Sequence, residues 1–261
     1  VSPVSVPTRW LAAAGALAEI DEDAFIEGAL ILSIGGAQQS HVNLHAPDQV
    51  FYEYLRRIAN VLDLVRPPGE PLKVLHLGAG ALTLVRYVQA TRPGSAQVAV
   101  EHERELLDFV LQHMPLAAGT QCELLLDDAR TAANAMAAGS FDAVVLDIFA
   151  GADAPAHLAN PAFYAELMRT VASDGVVLVN VGDDPPLAFA RYQSRNLSGV
   201  AGGGAALADR TLLSGKHPGN IILAATKKEW PAAWTEQLLE AGPHPAAVLT
   251  GAGLAAFQSG D

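Results

Sequence analysis

The chain has 261 residues, 51% of them hydrophobic and 17% charged, with a formal net charge of −12. That length supports one sizeable core, and the composition excludes disorder. The acidic excess excludes a general nucleic-acid surface, because phosphate binding needs a basic stripe. The single cysteine, Cys122, excludes an intrachain disulfide; in its apolar strand-like run it reads as a buried structural thiol.

Residues 1–20 are rich in Pro, Ser and Ala and read as a loosely packed lead-in. Within them, Trp10 to Ile20 is apolar but too short for a membrane span, and it lacks the basic start and cleavage site of a signal peptide. It reads as an alanine-rich helix or an extended segment, and the protein as cytoplasmic with no membrane partner. Two apolar runs follow, Ala29–Ile34 and His41–Leu44, with Gly35-Gly36 between them: a hairpin signal. His41 and His45 point the same way on a strand, but no third ligand accompanies them, so no metal site is assigned.

Pro47-Asp48 reads as a helix start with Asp48 as N-cap. Val50, Tyr54, Ile58, Val61 and Leu62 have helical spacing, and Pro67-Pro68-Gly69 closes the helix. The basic pairs Arg56-Arg57 and Lys227-Lys228 read as solvated element ends, and the aromatics Phe51, Tyr54, Phe163 and Tyr164 as core.

From there strands and helices alternate. Strands are expected at Val74–Leu77, Gln97–Glu101, Cys122–Leu126, Asp142–Leu146 and Val176–Asn180. Helices are expected at Leu82–Thr91, Arg104–His113, about 130–138, Pro161–Val171 and about 186–195. This order implies right-handed βαβ units and a parallel sheet covered on both faces. Ala205–Leu213 and Asn220–Thr226 flank the turn-rich Ser214–Gly219, so the sheet is expected to finish in an antiparallel hairpin.

Four strand ends carry chemistry. Gly78-Ala79-Gly80 follows the first parallel strand and opens a helix, where glycine permits a sharp turn and close ligand approach. Alone it could be a plain strand-to-helix turn. Glu101 ends the next strand and can accept hydrogen bonds from ribose hydroxyls; Glu103 could assist or simply begin a helix. Asp128 and Ala129 follow the third strand and suit an adenine edge, with Asp127 left as a cap. Asp147 ends the fourth strand, where ligands of open α/β sheets sit, and faces the reacting centre. Asp183-Asp184 after the fifth strand could face the same cleft or form a solvated turn. There is no G-x-S-x-G elbow, and Gly215-Lys216 lacks the rest of a phosphate loop.

Together these positions resemble the class I S-adenosylmethionine-dependent methyltransferase fold, and within it the spermidine synthase-like (polyamine aminopropyltransferase) family. The resemblance runs over about 25–226. It is carried by Gly36-Ala37-Gln38-Gln39-Ser40-His41-Val42, by Leu75 to Thr83, by Val100-Glu101-His102-Glu103, and by Phe141 to Asp147 followed by Phe163-Tyr164. It implies an α/β, Rossmann-like fold: a mostly parallel sheet ending in an antiparallel hairpin, with a small N-terminal β element. Residues 1–66 would form that hairpin-and-helix element, and 67–261 the nucleoside-binding catalytic domain.

The resemblance further implies decarboxylated S-adenosylmethionine as donor, a small amine as acceptor, methylthioadenosine as product, and a homodimer. By match, Gln39 touches the nucleoside, Glu101 the ribose and Asp128 the adenine, while Tyr52 lines the amine pocket and Asp147 deprotonates the amine. No metal is needed. The chain departs from the family at three places: Ala81-Leu82-Thr83 replace an acidic, glycine-containing continuation of the turn, Ala150 stands where a second aspartate is usual, with Asp153 the next acid, and Glu53-Tyr54 replace a His-Glu pair. An S-adenosylmethionine-dependent methyltransferase, an inactive nucleoside-binding module and a nicotinamide dehydrogenase are the competing readings.

Overall fold

In the computed structural model, residues 6–150 and 154–260 are described. Period-two burial begins almost at once. Leu11, Ala18 and Ile20 are buried, while Trp10 and Leu17, partners across the two strands, are exposed. That alternation is the signature of a sheet with one covered face. The stretch expected as a helix or lead-in is therefore an antiparallel pair, β1 (Thr8–Leu11) and β2 (Ala16–Glu22), joined through Gly15 at φ +61°. Its alanines at 12–14 belong to the turn, not to a helix.

β3 (Ala29–Ile34) and β4 (Ala37–Asn43) complete a four-stranded sheet in the order β1-β2-β3-β4. Gly35 and Gly36 both have positive φ, as a two-residue hairpin turn of matching twist requires. β4 starts at Ala37, earlier than the apolar run at His41 suggests, because Ala37 pairs with Ile34 directly across that turn. Leu32 pairs with Ser40 and Ser33 with Gln38, so Gln39 is the extra residue of a β-bulge.

Helix α1 covers Glu53–Val65 with Tyr52 at its N-cap, not Asp48. Asn43 explains the displacement: its side-chain oxygen accepts the N–H groups of His45 and Ala46, and Ala46 O accepts Gln49 N–H, so the chain turns before it can coil. The pair Arg56-Arg57 is correspondingly not a solvated end. Arg57 is buried and Arg56 is held by Asn60, Asp63 and Tyr87.

The second sheet has eight strands in the order β12-β10-β11-β9-β8-β5-β6-β7. β5 (Lys73–Leu77), β6 (Ala96–Glu101), β7 (Cys122–Leu126), β8 (Phe141–Ala150) and β9 (Val171–Asp183) run parallel. They alternate with α2 (Thr83–Thr91), α3 (Arg104–His113), α4 (Ala129–Ala135), α5 (Pro161–Thr170) and α6 (Ala188–Ser198). β10 (Gly203–Asp209) and β11 (Gly219–Thr226) form the expected antiparallel hairpin, with a short 3-10 turn at Leu212–Ser214 where strand had been expected. The sheet does not finish there. After α7 (Ala232–Ala241), β12 (Ala246–Thr250) pairs with β10 and α8 (Gly251–Ser259) follows. β12 is five residues between Pro245 and Gly251, too brief to stand out in the sequence.

Both faces of this sheet are covered. Val144, Leu146, Val177 and Val179 point to one core, and Ala143, Val145, Val176 and Leu178 to the other. A third core joins the N-terminal sheet, through Leu32 and Val42, to Leu82, Val85 and Phe109 of the α2–α3 layer. Glu103 ties the same layers: its Oε2 accepts the N–H of Ala14 at 2.9 Å, so it serves the β1–β2 turn and not the strand-end cleft. The chain leaves β5 for β6 on one side, while β8 lies on the other. That reversal opens a crevice at the carboxyl ends of β5 and β8.

Arg92 closes the opposite end of α2. It is 2% exposed, and its guanidinium donates to the carbonyls of Asp63, Arg66, Pro67 and Glu70 at 2.9–3.1 Å. Arg92→Met would strand those carbonyls, so it is expected to lower stability by about 3 kcal/mol or more, read from the midpoint of urea unfolding.

Candidate active site

Gly78, directly after β5, lies against the backbone of Asp147 on β8. Its φ is +91°, and a Cβ placed there would lie 2.3 Å from the backbone oxygen of Asp147. Only glycine satisfies both conditions. Gly80, at φ +49°, faces Ser40 Oγ, which a Cβ would approach to 3.1 Å. Leu82 then adopts φ +59° as N-cap of α2, which puts the helix start at Thr83. A left-handed leucine costs roughly 1–2 kcal/mol; complete burial of its side chain in the third core offsets this.

The amides of this turn are largely used within the protein. Gly78 N–H donates to Val100 O, Ala79 N–H to Glu101 Oε2, Ala81 N–H to Ser40 Oγ and Leu82 N–H to Ala79 O. The turn is thus a rigid wall and not an open anion cradle, which removes the main pyrophosphate contact of a dinucleotide site. Glu101 is buried, and its other oxygen accepts the N–H groups of His102 and Glu103 at 3.0 Å. One carboxylate therefore holds both the turn and the start of α3.

Asp128, not Asp127, caps α4. Its Oδ1 accepts the N–H groups of Arg130 and Thr131 at 3.0 Å, and its Oδ2 lies 2.8 Å from His157 Nε2. Those contacts hold its carboxyl below the usual carboxylate range, against the opposing effect of burial.

A cavity of about 460 Å³ opens over these strand ends. Gln39, Gly78, Gly80, Glu101, Asp128 and Ala129, the residues assigned from sequence to a nucleoside, all line it. A second cavity, of about 860 Å³, lies beyond β8 over β9, β11 and β10. Tyr52 lines that one, with Asp183, Asp184 and Asp209. Asp147 lines both cavities, as do Gln39, Tyr54 and Ile148. These four side chains stand where the two spaces meet.

Burial pushes the Asp147 carboxyl up to about 6, while a 2.8 Å hydrogen bond from Asn180 Nδ2 pulls it back. Burial and then the Asp147 charge push the Tyr54 hydroxyl well above its usual range, so it stays neutral. The Tyr52 and Tyr54 rings lie near parallel, 6.2 Å apart, and the Tyr52 hydroxyl donates to Gln38.

Several residues here were not found by sequence reasoning. Tyr54 packs against the second core, as its helical spacing predicts, and also lines the junction. Phe51, also read as core, is exposed and stacks on His41 at 4.4 Å, whereas Phe163 and Tyr164 are fully buried. Asp209 ends β10 and Asn180 lies three residues before the end of β9, on the same side as Asp147, a position that could have marked them. Cys122 is only half-buried, with its thiol pushed up to about 11 by burial. His41 Nε2 lies 3.1 Å from Asp23. Asp153 lies outside the described residues, and of Ala150 only the strand backbone is described. Among the described residues, no helix is long and apolar enough to cross a membrane.

No family model matches the sequence, and no curated protein matches it. Among solved structures, a probable spermidine synthase from Corynebacterium glutamicum aligns with a TM-score of 0.87 at 28% identity, covering 98% of this chain and 94% of that one. The chain is built on the spermidine synthase-like fold. A spermidine synthase in complex with the transition state analogue AdoDATO aligns at TM-score 0.63 and 15% identity, over 87% of this chain and 74% of that one. Human methyltransferase-like protein 13 in complex with SAH aligns at TM-score 0.55 and 16% identity, over 72% and 87%. The spermidine synthase-like sheet is thus the class I methyltransferase sheet, preceded here by the four-stranded element.

Gly78→Ala forces either the turn or the Asp147 backbone to move. It is expected to destabilise the protein by about 3 kcal/mol, seen as a lowered Tm by calorimetry.

Proposed function

We propose that this protein is a spermidine synthase-like aminopropyltransferase, moving an aminopropyl group from decarboxylated S-adenosylmethionine to a polyamine or related amine. The observation that carries this reading is the pair of cavities meeting at Asp147: one lined by the nucleoside-type strand ends, the other by carboxylates. The fit to a nucleoside is physical. The turn at Gly78 leaves no side chain between strand end and ligand, and Glu101 and Asp128 present acceptor oxygens to a cavity of nucleoside size. Glu101 would meet the ribose, Asp128 and Ala129 the adenine, and Gln39 the nucleoside from the N-terminal sheet.

In the reaction, Asp147 holds the acceptor ammonium and takes one of its protons. The freed lone pair attacks the carbon beside the sulfonium; a C–N bond forms, the C–S bond breaks, and its electron pair neutralises the sulfur. Asn180 fixes the Asp147 carboxylate through its amide N–H. Tyr52 and Tyr54 give the cationic chain an aromatic wall. Alignment of amine, carbon and leaving sulfur supplies the remaining acceleration.

Incubation with the decarboxylated donor and amines, followed by mass spectrometry, tests this; products that are only methylated would sink it. Asp147→Asn is expected to lower turnover by at least ~100-fold while calorimetric binding of methylthioadenosine persists. In the wild type, turnover should rise with pH through about 6 as Asp147 ionises. The sign for stability is opposite. A carboxyl raised from 3.8 to about 6 binds its proton more tightly in the folded state, so its ionisation costs stability as pH rises through that window. Asp147→Asn should therefore raise Tm more at pH 8 than at pH 4.

A further inference from the structure

Among the described residues lining the two cavities, Arg57 carries the one permanent positive charge. Its side chain is 4% exposed, and its side-chain hydrogen bonding consists of one 3.4 Å contact from Nη2 to Glu53. A guanidinium presents five N–H donors in a planar fork, suited to a carboxylate held by two parallel bonds. Glu53 meets that fork from the surface, with 61% of its own side chain exposed. Asp209 adds an attractive charge; its Oδ1 accepts the backbone N–H and the hydroxyl of Thr211, each at 2.6 Å, and among the described residues no hydrogen bond joins it to Arg57. Arg57 is therefore a largely buried cation on the wall of a cavity, and most of its donors have no protein partner among the described residues. Burying such a group is costly unless a partner completes it.

Its place in the fold says which end of the cavity it serves. Helix α1 packs over β8, β9, β11 and β10. Asp147 lies on β8 and Asp209 at the end of β10, three strands away, a separation of roughly 14 Å at about 4.8 Å per strand. Arg57 belongs to the Asp209 side. The cavity thus has the Asp147 carboxylate at one end, for an amine, and toward the other a guanidinium flanked by Glu53 and Asp209, with Asp183 and Asp184 also on the wall.

We propose that the acceptor is an amino acid whose terminal amine sits at Asp147 and whose carboxylate is gripped by Arg57. A diamine of the same length would bring a second ammonium against the guanidinium. This rests on the aminopropyl-transfer reading and narrows its acceptor. The amine loses a proton to Asp147 and forms the C–N bond as the C–S bond breaks to sulfur, leaving an N-(3-aminopropyl) amino acid and methylthioadenosine.

The test uses a length-matched pair, 5-aminopentanoate and 1,5-diaminopentane, titrated calorimetrically into the protein saturated with methylthioadenosine. Turnover of each with the decarboxylated donor is followed by mass spectrometry. The amino acid is expected to bind at least about tenfold more tightly, the scale of one charge-assisted bidentate contact. Arg57→Gln should erase that preference, and Arg57→Lys should keep part of it. If Arg57→Gln does not fold, as judged by circular dichroism, the wild-type ratio and Arg57→Lys decide. Preference for the diamine, binding of neither compound, or an unchanged ratio in Arg57→Gln overturns the proposal. Diamine preference with methylthioadenosine bound removes only the amino-acid acceptor, whereas failure of methylthioadenosine itself to bind removes the transfer reading beneath it.

Discussion

The contact on which the site depends is the absence of space between Gly78 and the backbone of Asp147. Two parallel neighbours, β5 and β8, run side by side, and the turn leaving β5 lies against Asp147 and Ile148 of β8, which continues past it. The glycine turn and the buried carboxylate are therefore parts of one packed unit. Hydrogen bonds hold the turn from its remaining sides, to Val100 and Glu101 on β6 and to Ser40 on β4. Under the proposed transfer, a rigid turn of this kind would position a reacting carbon without conformational search, which is where an alignment-driven reaction gains most.

The two sheets contribute different things. The parallel sheet supplies the strand-end acids and the turn. The N-terminal sheet reaches over them with Gln39 and Ser40, and the segment after it brings Tyr52 and Tyr54 to the second cavity. The third core, which buries Leu32 and Val42 against α2 and α3, sets the height at which that sheet sits above the crevice.

Much of this was legible in the sequence, and the gaps have physical causes. The βαβ alternation showed plainly because strands buried on both faces are apolar runs bounded by turn residues. Gly78, Glu101, Asp128 and Asp147 stood out because each is a glycine or an acid ending such a run. The β1–β2 hairpin was hidden by alanines in its turn, which imitate helix composition. The start of α1 was misplaced because Asn43 closes a turn over His45 and Ala46, and the chain coils only after Tyr52. Arg57 was misjudged because its charge reads as a solvated end, and helical spacing at Tyr54 tells which face of α1 turns inward but not that a cavity waits beside it. Asp127 and Asp128 are equivalent by composition, and only the cap geometry separates them.

The bulge in β4 has a consequence for how the site is encoded. Because strand side chains alternate, one additional residue reverses the facing of everything beyond it. Gln39 is that residue, and it is also the one side chain of the N-terminal sheet that reaches both cavities. The link between the sheet and the cleft is accordingly a matter of parity. A hairpin shortened by this single residue would keep its turn and lose its hold on the crevice.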